Sequence, residues 1–370
     1  MASWIARLGS TRPGPGDVAD WECWLHHRRL LLLRAVHEQT TRPGTPAAAR
    51  AAFACAWSRL ERAERASPAA VRELLGYPAT GNRLSRLLRV AGGELVAETA
   101  EFAELAARHD PATATAAAPA LPRLPTARGL LDRVDPHRTP RDAAGRPRWP
   151  VATPAEAPAV PWLAQWEQAL RWLGAVDPAR AAEVRALTRS LVPLRRAPGP
   201  GSGTPNSATG RAAPGAVLCV PQPDAPALAA LLVHEIQHTK LAILFDVLPL
   251  YRPGGAAHHR VAWRLDDRPV QAVLQGTYAH LGLADLWHRV ACAAFERPPA
   301  GAEDARSGFP GRTVAQSEAH DRCEDYREQV GQALALLHRT AELTPAGVSF
   351  VQGMADHHAR LGSGVGTVYR

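Results

Sequence analysis

Apolar residues recur at intervals of three and four through most of the chain, which is the period of an amphipathic helix and not of a half-buried strand. Over residues 20–109 the pattern runs through "WECWLHHRRLLLLRAVHEQ", "AAFACAWSRLERAERA" and "LSRLLRVAGGELVAETAEFAELAARH", and it predicts a helical N-terminal region. "RRLLLLRAV" at 28–36 reads as a short buried helical segment. The period then lapses. From "DPATATAAAPALPRLP" to "VATPAEAPAVPW" prolines and alanines dominate, predicting an extended, partly mobile connection to about residue 160. Helical spacing returns in "WLAQWEQALRWLGAV" and in "PARAAEVRALTRSLVPL", with Pro178 near the start of the second.

A glycine, proline and serine loop at 195–215 reads as a linker or an active-site flap, and its neighbours favour the flap. It leads into "AVLCV", a short run of strand formers, and through "PQPDAP" into a helix that Asp224 can cap, with Pro226 in its first turn. After a loop from about 250 to 268 the period resumes in "PVQAVLQGTYAHLGLADLWHRVACAAF". A second Gly/Pro loop, a charged helix from about Ser317 to Leu343 and a last helix with Thr344 as cap and Pro345 at its first position complete the chain. The fold class expected is mainly α with a few short strands. Three stretches follow from the pattern: a helical N-terminal region over 1–110, a Pro/Ala-rich connection over 111–160, and a helical core over 161–370.

Within the helix that Asp224 caps, "ALLVHEIQHTKLAIL" places His234 and His238 four residues apart with Glu235 between them. Residues four apart share a helix face, so both imidazoles can reach one metal ion, while Glu235 projects about 100° away and can hold a water or orient a ligand. Burying three ionisable groups among Leu231, Leu232, Val233 and Ile236 is costly without a partner. His280 is the preferred third ligand, because it lies on the next strongly apolar helix beside Gly276, Ala279, Gly282 and Ala284, small residues that let helices approach. Asp285, Asp266 and Asp267 are rivals, whereas His258, His259 and His320 read as solvated surface histidines.

Such a site has two chemical readings. With zinc, Glu235 is the general base that activates a metal-bound water for peptide hydrolysis. With iron(II), two histidines and one more ligand leave positions for a cosubstrate and dioxygen. The second reading requires a cation for the cosubstrate's distal carboxylate. Arg264 and Arg268 in "WRLDDRP" are candidates, with Tyr278 nearby. A third possibility is a peptide-binding protein whose His/Glu/His site is degenerate.

"LVHEIQHTKLAILFDVLPLY", "WRLDDRPVQAVLQGTYAHLGLADLW" and "PGAVLCV" together resemble the HExxH motif-containing peptide-modification proteins of ribosomal peptide natural-product pathways. The resemblance covers about residues 213–290. It implies an iron(II)- and 2-oxoglutarate-dependent oxygenase that uses dioxygen to β-hydroxylate a side chain of a ribosomally made precursor peptide. His234 and His238 match the family's ligands and His280 its downstream motif. Lys240 matches the lysine that continues the motif, and is a further candidate for cosubstrate binding.

Composition adds little to this. The chain has 370 residues and a formal charge of +8, but its positive charge is nearly all arginine scattered among alanines and prolines, with no basic block. This argues against a nucleic-acid partner. Five dispersed cysteines form no Cys-x-x-Cys pair, no apolar run approaches eighteen residues, and the first residues lack a secretory pattern, so a cytoplasmic protein without a membrane anchor is expected.

Overall fold

The computed structural model describes residues 2–12, 14, 16–109, 121–142, 146–196, 206–293 and 314–363. The chain is mainly helical, with 65% of residues in helices and 7% in strands, as the apolar period predicts. By contact it divides into two compact units, each drawn from separate stretches. Ala19–Ala159 and Thr188–Pro221 form one, while Met1–Val18, Val160–Leu187 and Gln222–Arg370 form the other. Each unit is discontinuous in sequence, because packing joins stretches that are far apart along the chain.

In the first unit α2 (Asp17–Thr40), α3 (Ala47–Ala66), α4 (Pro68–Gly76), α5 (Pro78–Leu87) and α6 (Gly92–His109) surround an apolar core that includes Leu33, Phe53, Leu60, Leu84 and Phe102. Phe53 and Phe102 stack with ring centroids 5.7 Å apart. Pro68 and Pro78 stand where α4 and α5 begin, positions at which the missing N–H costs nothing, and the Ser67 hydroxyl accepts from Ala70 N to cap α4. The "LLLL" of α2 is only half buried, with Leu30 and Leu31 exposed.

A small sheet in the same unit has the order β1-β2-β4-β3. β1 (Leu130–Leu131) and β2 (Ser190–Pro193) are parallel, as are β2 and β4 (Ala216–Cys219), while β3 (Ser207–Ala208) runs antiparallel to β4. Two sequence expectations are corrected here. "SLVP" continues the apolar run of a helix yet forms β2, because a strand buried on both faces has no period-two signature to separate it from a buried helix. The Pro/Ala-rich connection is packed over much of its described length: Leu124, Leu131, Asp132, His137, Ala152 and Ala157 are buried. Its residues 111–120 lie outside the described residues, as do 197–205 of the expected flap and 294–313 of the second Gly/Pro loop.

The other unit contains α1 (Ala2–Gly9), α7 (Ala159–Val176), α8 (Pro178–Leu187), α9 (Ala225–Val247), α10 (Val270–Ala293), α11 (Gln316–Arg339) and α12 (Pro345–Ser363), with the two-stranded ribbon β5 (His258–His259) and β6 (Arg268–Pro269). α9 is the central helix. Asp224 accepts from Ala227 N at 2.8 Å to cap it, as expected, a contact worth about 1 kcal/mol. Apolar on nearly every side, α9 is buried on nearly every side. It is the one described helix long and apolar enough to cross a membrane, and 78% of its most apolar window is buried within the protein. α10 packs on α9, α11 and α12, and α1 packs on α12. The last pair approaches closely through glycines: a Cβ at Gly353 would lie 1.8 Å from the Ala6 carbonyl oxygen, and one at Gly9 2.2 Å from that of Phe350.

Candidate metal centre

His234 and His238 occupy successive turns of α9, and their Nε2 atoms stand 3.0 Å apart. Two nitrogens bound at right angles to one ion with bonds of about 2.1 Å are separated by about 3.0 Å, so the pair already has the spacing of adjacent ligands. His280, on α10, flanks it with its ring centroid 5.6 Å from that of His234. Of the small residues around His280, Gly282 carries the helix approach: a Cβ there would come within 3.0 Å of the Gln237 side chain on α9. Glu235 is buried beside the pair.

Burial sets the electrostatics. Desolvation lowers the His234 pKa to about 4, helped by His238, and lowers that of His280 to about 3, helped by His234 and His238. His238 is lowered for the same first reason, with Glu235 opposing. All three imidazoles are therefore neutral at pH 7, the form that binds metal. His238 Nδ1 and His280 Nδ1 are buried without a hydrogen-bond partner. The two Nε2 atoms 3.0 Å apart, and the orphaned His280 Nδ1 on the neighbouring helix, are nitrogens that a cation would satisfy, and the all-nitrogen donor set suits iron(II) or zinc. The donor atoms of all three histidines do not lie within 4.8 Å of one another. Among the described residues that closeness is reached by Glu98, Glu101 and His137 in the other unit. There Arg86 pairs with Glu98, and Arg83 lies 3.6 Å from Glu101, so cations already sit on both carboxylates.

Two neighbours on α11 complete the surroundings of His280. Tyr326 meets it edge to face with centroids 5.3 Å apart, and Gln329 stands beside it, favouring its protonated form. Both line a recess of about 270 Å³ with Ala227, Ala230, Trp287, Arg322 and Asp325. Ala227 and Ala230 continue the face of α9 that carries His234 and His238, and their small side chains leave the space open. The Arg322 guanidinium lies 4.5 Å from the centre of the Trp287 ring and is tethered to Glu318 at 2.7 Å. Sequence reasoning missed these residues. The available signal was the spacing of Arg322, Tyr326 and Gln329, a polar stripe on one face of a helix read only as charged.

The expected cosubstrate residues do not line that recess. Lys240 is buried, donating to Glu183 at 2.8 Å and to the Thr11 carbonyl at 3.0 Å. Tyr278 donates to the Leu8 carbonyl at 2.8 Å. Lys240, whose Nζ lies 5.4 Å from the centre of the Tyr278 ring, belongs to an ion-pair network in which Arg180 also donates to Thr11, Glu183 and Asp285. Burial alone would raise Glu183, but Lys240 and Arg180 outweigh it and hold the carboxylate ionised. Thr11 adopts φ +59°, strained for a β-branched residue, and its carbonyl is held by two buried cations. Asp285, a rival metal ligand, is instead bonded by Arg12 through both oxygens at 2.9 Å. Arg264 and Arg268 lie on the β5–β6 ribbon and its turn, Arg268 paired with Asp266 at 2.7 Å. Asp267 lies 3.8 Å from Arg260. His258 is exposed, as expected, while His259 and His320 are half-buried. The chain matches no family model and no curated protein sequence.

Proposed function

We propose that the protein is an iron(II)- and 2-oxoglutarate-dependent oxygenase that hydroxylates a side chain of a precursor peptide, with His234 and His238 holding the metal and His280 closing on it as the third ligand when the ion binds. The observation that carries this reading is the Arg322 recess, two of whose lining residues, Tyr326 and Gln329, border the desolvated His280. At about 270 Å³ it lies just below the roughly 300–1,000 Å³ of drug-sized sites and suits a small ligand. Its arginine offers a planar fork to a carboxylate. Arg322 thus replaces Arg264, Arg268 and Lys240 as the partner of the cosubstrate's distal carboxylate.

Bound iron(II), with 2-oxoglutarate and dioxygen, supplies the oxidising power that places a hydroxyl on a side-chain carbon. The protein's own residues prepare the site. Packing around α9 keeps His234 and His238 neutral and adjacent, while Trp287 and Glu318 hold the Arg322 fork. Tyr326 and Gln329 fix the His280 ring, and Glu235 orients polar groups around the histidine pair without coordinating.

The test is anaerobic addition of iron(II) and 2-oxoglutarate to the purified protein, read as a visible charge-transfer band. The wild type should show a band that needs both additions. His280→Ala should lose it, and Arg322→Gln should need far more 2-oxoglutarate while still binding iron. A protein that instead retains zinc, gives no band and cleaves peptides in a manner abolished by Glu235→Gln is a hydrolase, and the proposal then fails.

A further inference from the structure

The β5–β6 ribbon stands against His280 on another side. Trp263, in the turn between the strands, meets the His280 ring with centroids 4.5 Å apart at 61°. Its indole occupies the notch left by Gly276, one turn before His280 on α10, where a Cβ would lie 2.6 Å from Trp263 Cζ2. The missing side chain of Gly276 therefore lets the turn seat on the helix face that carries the candidate ligand.

Beyond Trp263 the turn offers two unlike groups to solvent. Leu265 is 87% exposed, the most exposed of the large apolar side chains among the described residues. The three arginines of the ribbon are not equivalent. Arg268 is paired with Asp266 at 2.7 Å and Arg260 lies 3.8 Å from Asp267, whereas Arg264 makes no ion pair within 4.0 Å among the described residues. A recess of about 490 Å³, larger than the one beside Arg322, runs along Ala262, Trp263, Arg264, Leu265 and Asp266.

We infer that this turn is the lip on which the peptide substrate docks, and that it selects a segment in which a carboxylate side chain lies next to an apolar one. Arg264 takes the carboxylate, Leu265 and the face of Trp263 take the apolar neighbour, and the next side chain along the peptide is delivered past Trp263 towards His280. The charge complementarity rests on Arg264 and is reinforced by the net charge of +8, which draws in an acidic partner. This inference rests on the peptide-modifying reading above and adds the chemistry of the segment recognised.

The test uses fluorescein-labelled octapeptides of alternating Asp and Leu, alternating Lys and Leu, and alternating Asp and Ser, titrated with the full chain and read by anisotropy. The Asp/Leu probe should bind at least about tenfold more tightly than either of the others. Arg264→Glu and Leu265→Asp should each weaken it by about tenfold. Arg264→Glu should in addition gain affinity for the Lys/Leu probe, a result that misfolding cannot produce. Equal binding of the Asp/Leu and Lys/Leu probes, or Asp/Leu binding unchanged in both variants, overturns the docking lip. The charge-transfer band of the wild type separates the two proposals: selective probe binding without a band upholds the lip and removes the oxygenase, and a band without selective binding does the reverse.

Discussion

Lys240→Met tests whether the single lysine of the chain belongs to the active site or to the frame beneath it. Methionine keeps the apolar stem and removes the charge. Glu183, 0% exposed, accepts from Lys240 at 2.8 Å and from Arg180 at 2.7 Å, and the substitution deletes the first contact while leaving the second. Removing one partner of a buried pair costs about 3–5 kcal/mol because a charge is left without compensation. With Arg180 still in place the loss should fall at the lower end, about 3 kcal/mol. The unit that contains α9 has roughly 200 residues, for which each kcal/mol moves Tm by about 2–4 °C, so the variant should melt about 6–12 °C below the wild type. Circular dichroism measures the shift, and a 2-oxoglutarate titration of the iron-loaded variant well below its Tm should give the wild-type affinity. An unchanged Tm together with lost 2-oxoglutarate affinity would refute the reasoning and return Lys240 to the site.

Burial raises Asp132 to about 6, against the opposing hydrogen bond from Tyr77, so between about pH 4 and 6 the folded chain holds a proton that the unfolded chain releases. Its contribution is full below about pH 4 and is lost as pH rises through about 6, amounting to about 3 kcal/mol at most. Urea unfolding at pH 4, 5 and 6 should show this decline in the wild type and a flatter profile in Asp132→Asn. Gly353→Ala should force α1 from α12, since its Cβ would lie 1.8 Å from the Ala6 carbonyl oxygen, at a cost of about 1–3 kcal/mol, and hydrogen exchange of residues 2–9 should accelerate. Because Thr11, just beyond α1, accepts from Lys240, the double variant of Gly353→Ala and Lys240→Met should lose less stability than the two single losses combined.

Much of the helical frame was legible in the chain. The Asp224 cap, the span of α9 and the start of α12 at Pro345 follow from local rules, because a cap or a period of 3.6 residues is satisfied by neighbours in sequence. So does the pairing of His234 with His238, whose 3.0 Å approach needs nothing beyond one helix. β2 was not legible, since a strand buried on both faces loses its alternation, and neither was the burial of Leu131 and Asp132 in a stretch whose prolines and alanines suggested exposure.

The sequence by itself determined most of the helices, the His234/His238 face with Glu235 beside it, and the presence of one unusual lysine. Tertiary structure alone decided which distant groups meet them. It turned Lys240 and Tyr278 to Thr11, Glu183 and Leu8, and it brought Tyr326, Gln329 and Arg322 from a helix some ninety residues beyond α9 to the side of His280. Arg322 stands out from the many arginines of the chain only because packing sets its guanidinium over Trp287 at the edge of a recess whose Tyr326 and Gln329 border His280. The physical reason is range. Capping and helical periodicity act within a turn or two of the chain, whereas desolvation and ion pairing depend on everything that packs around a group, and spacing in sequence carries no record of that.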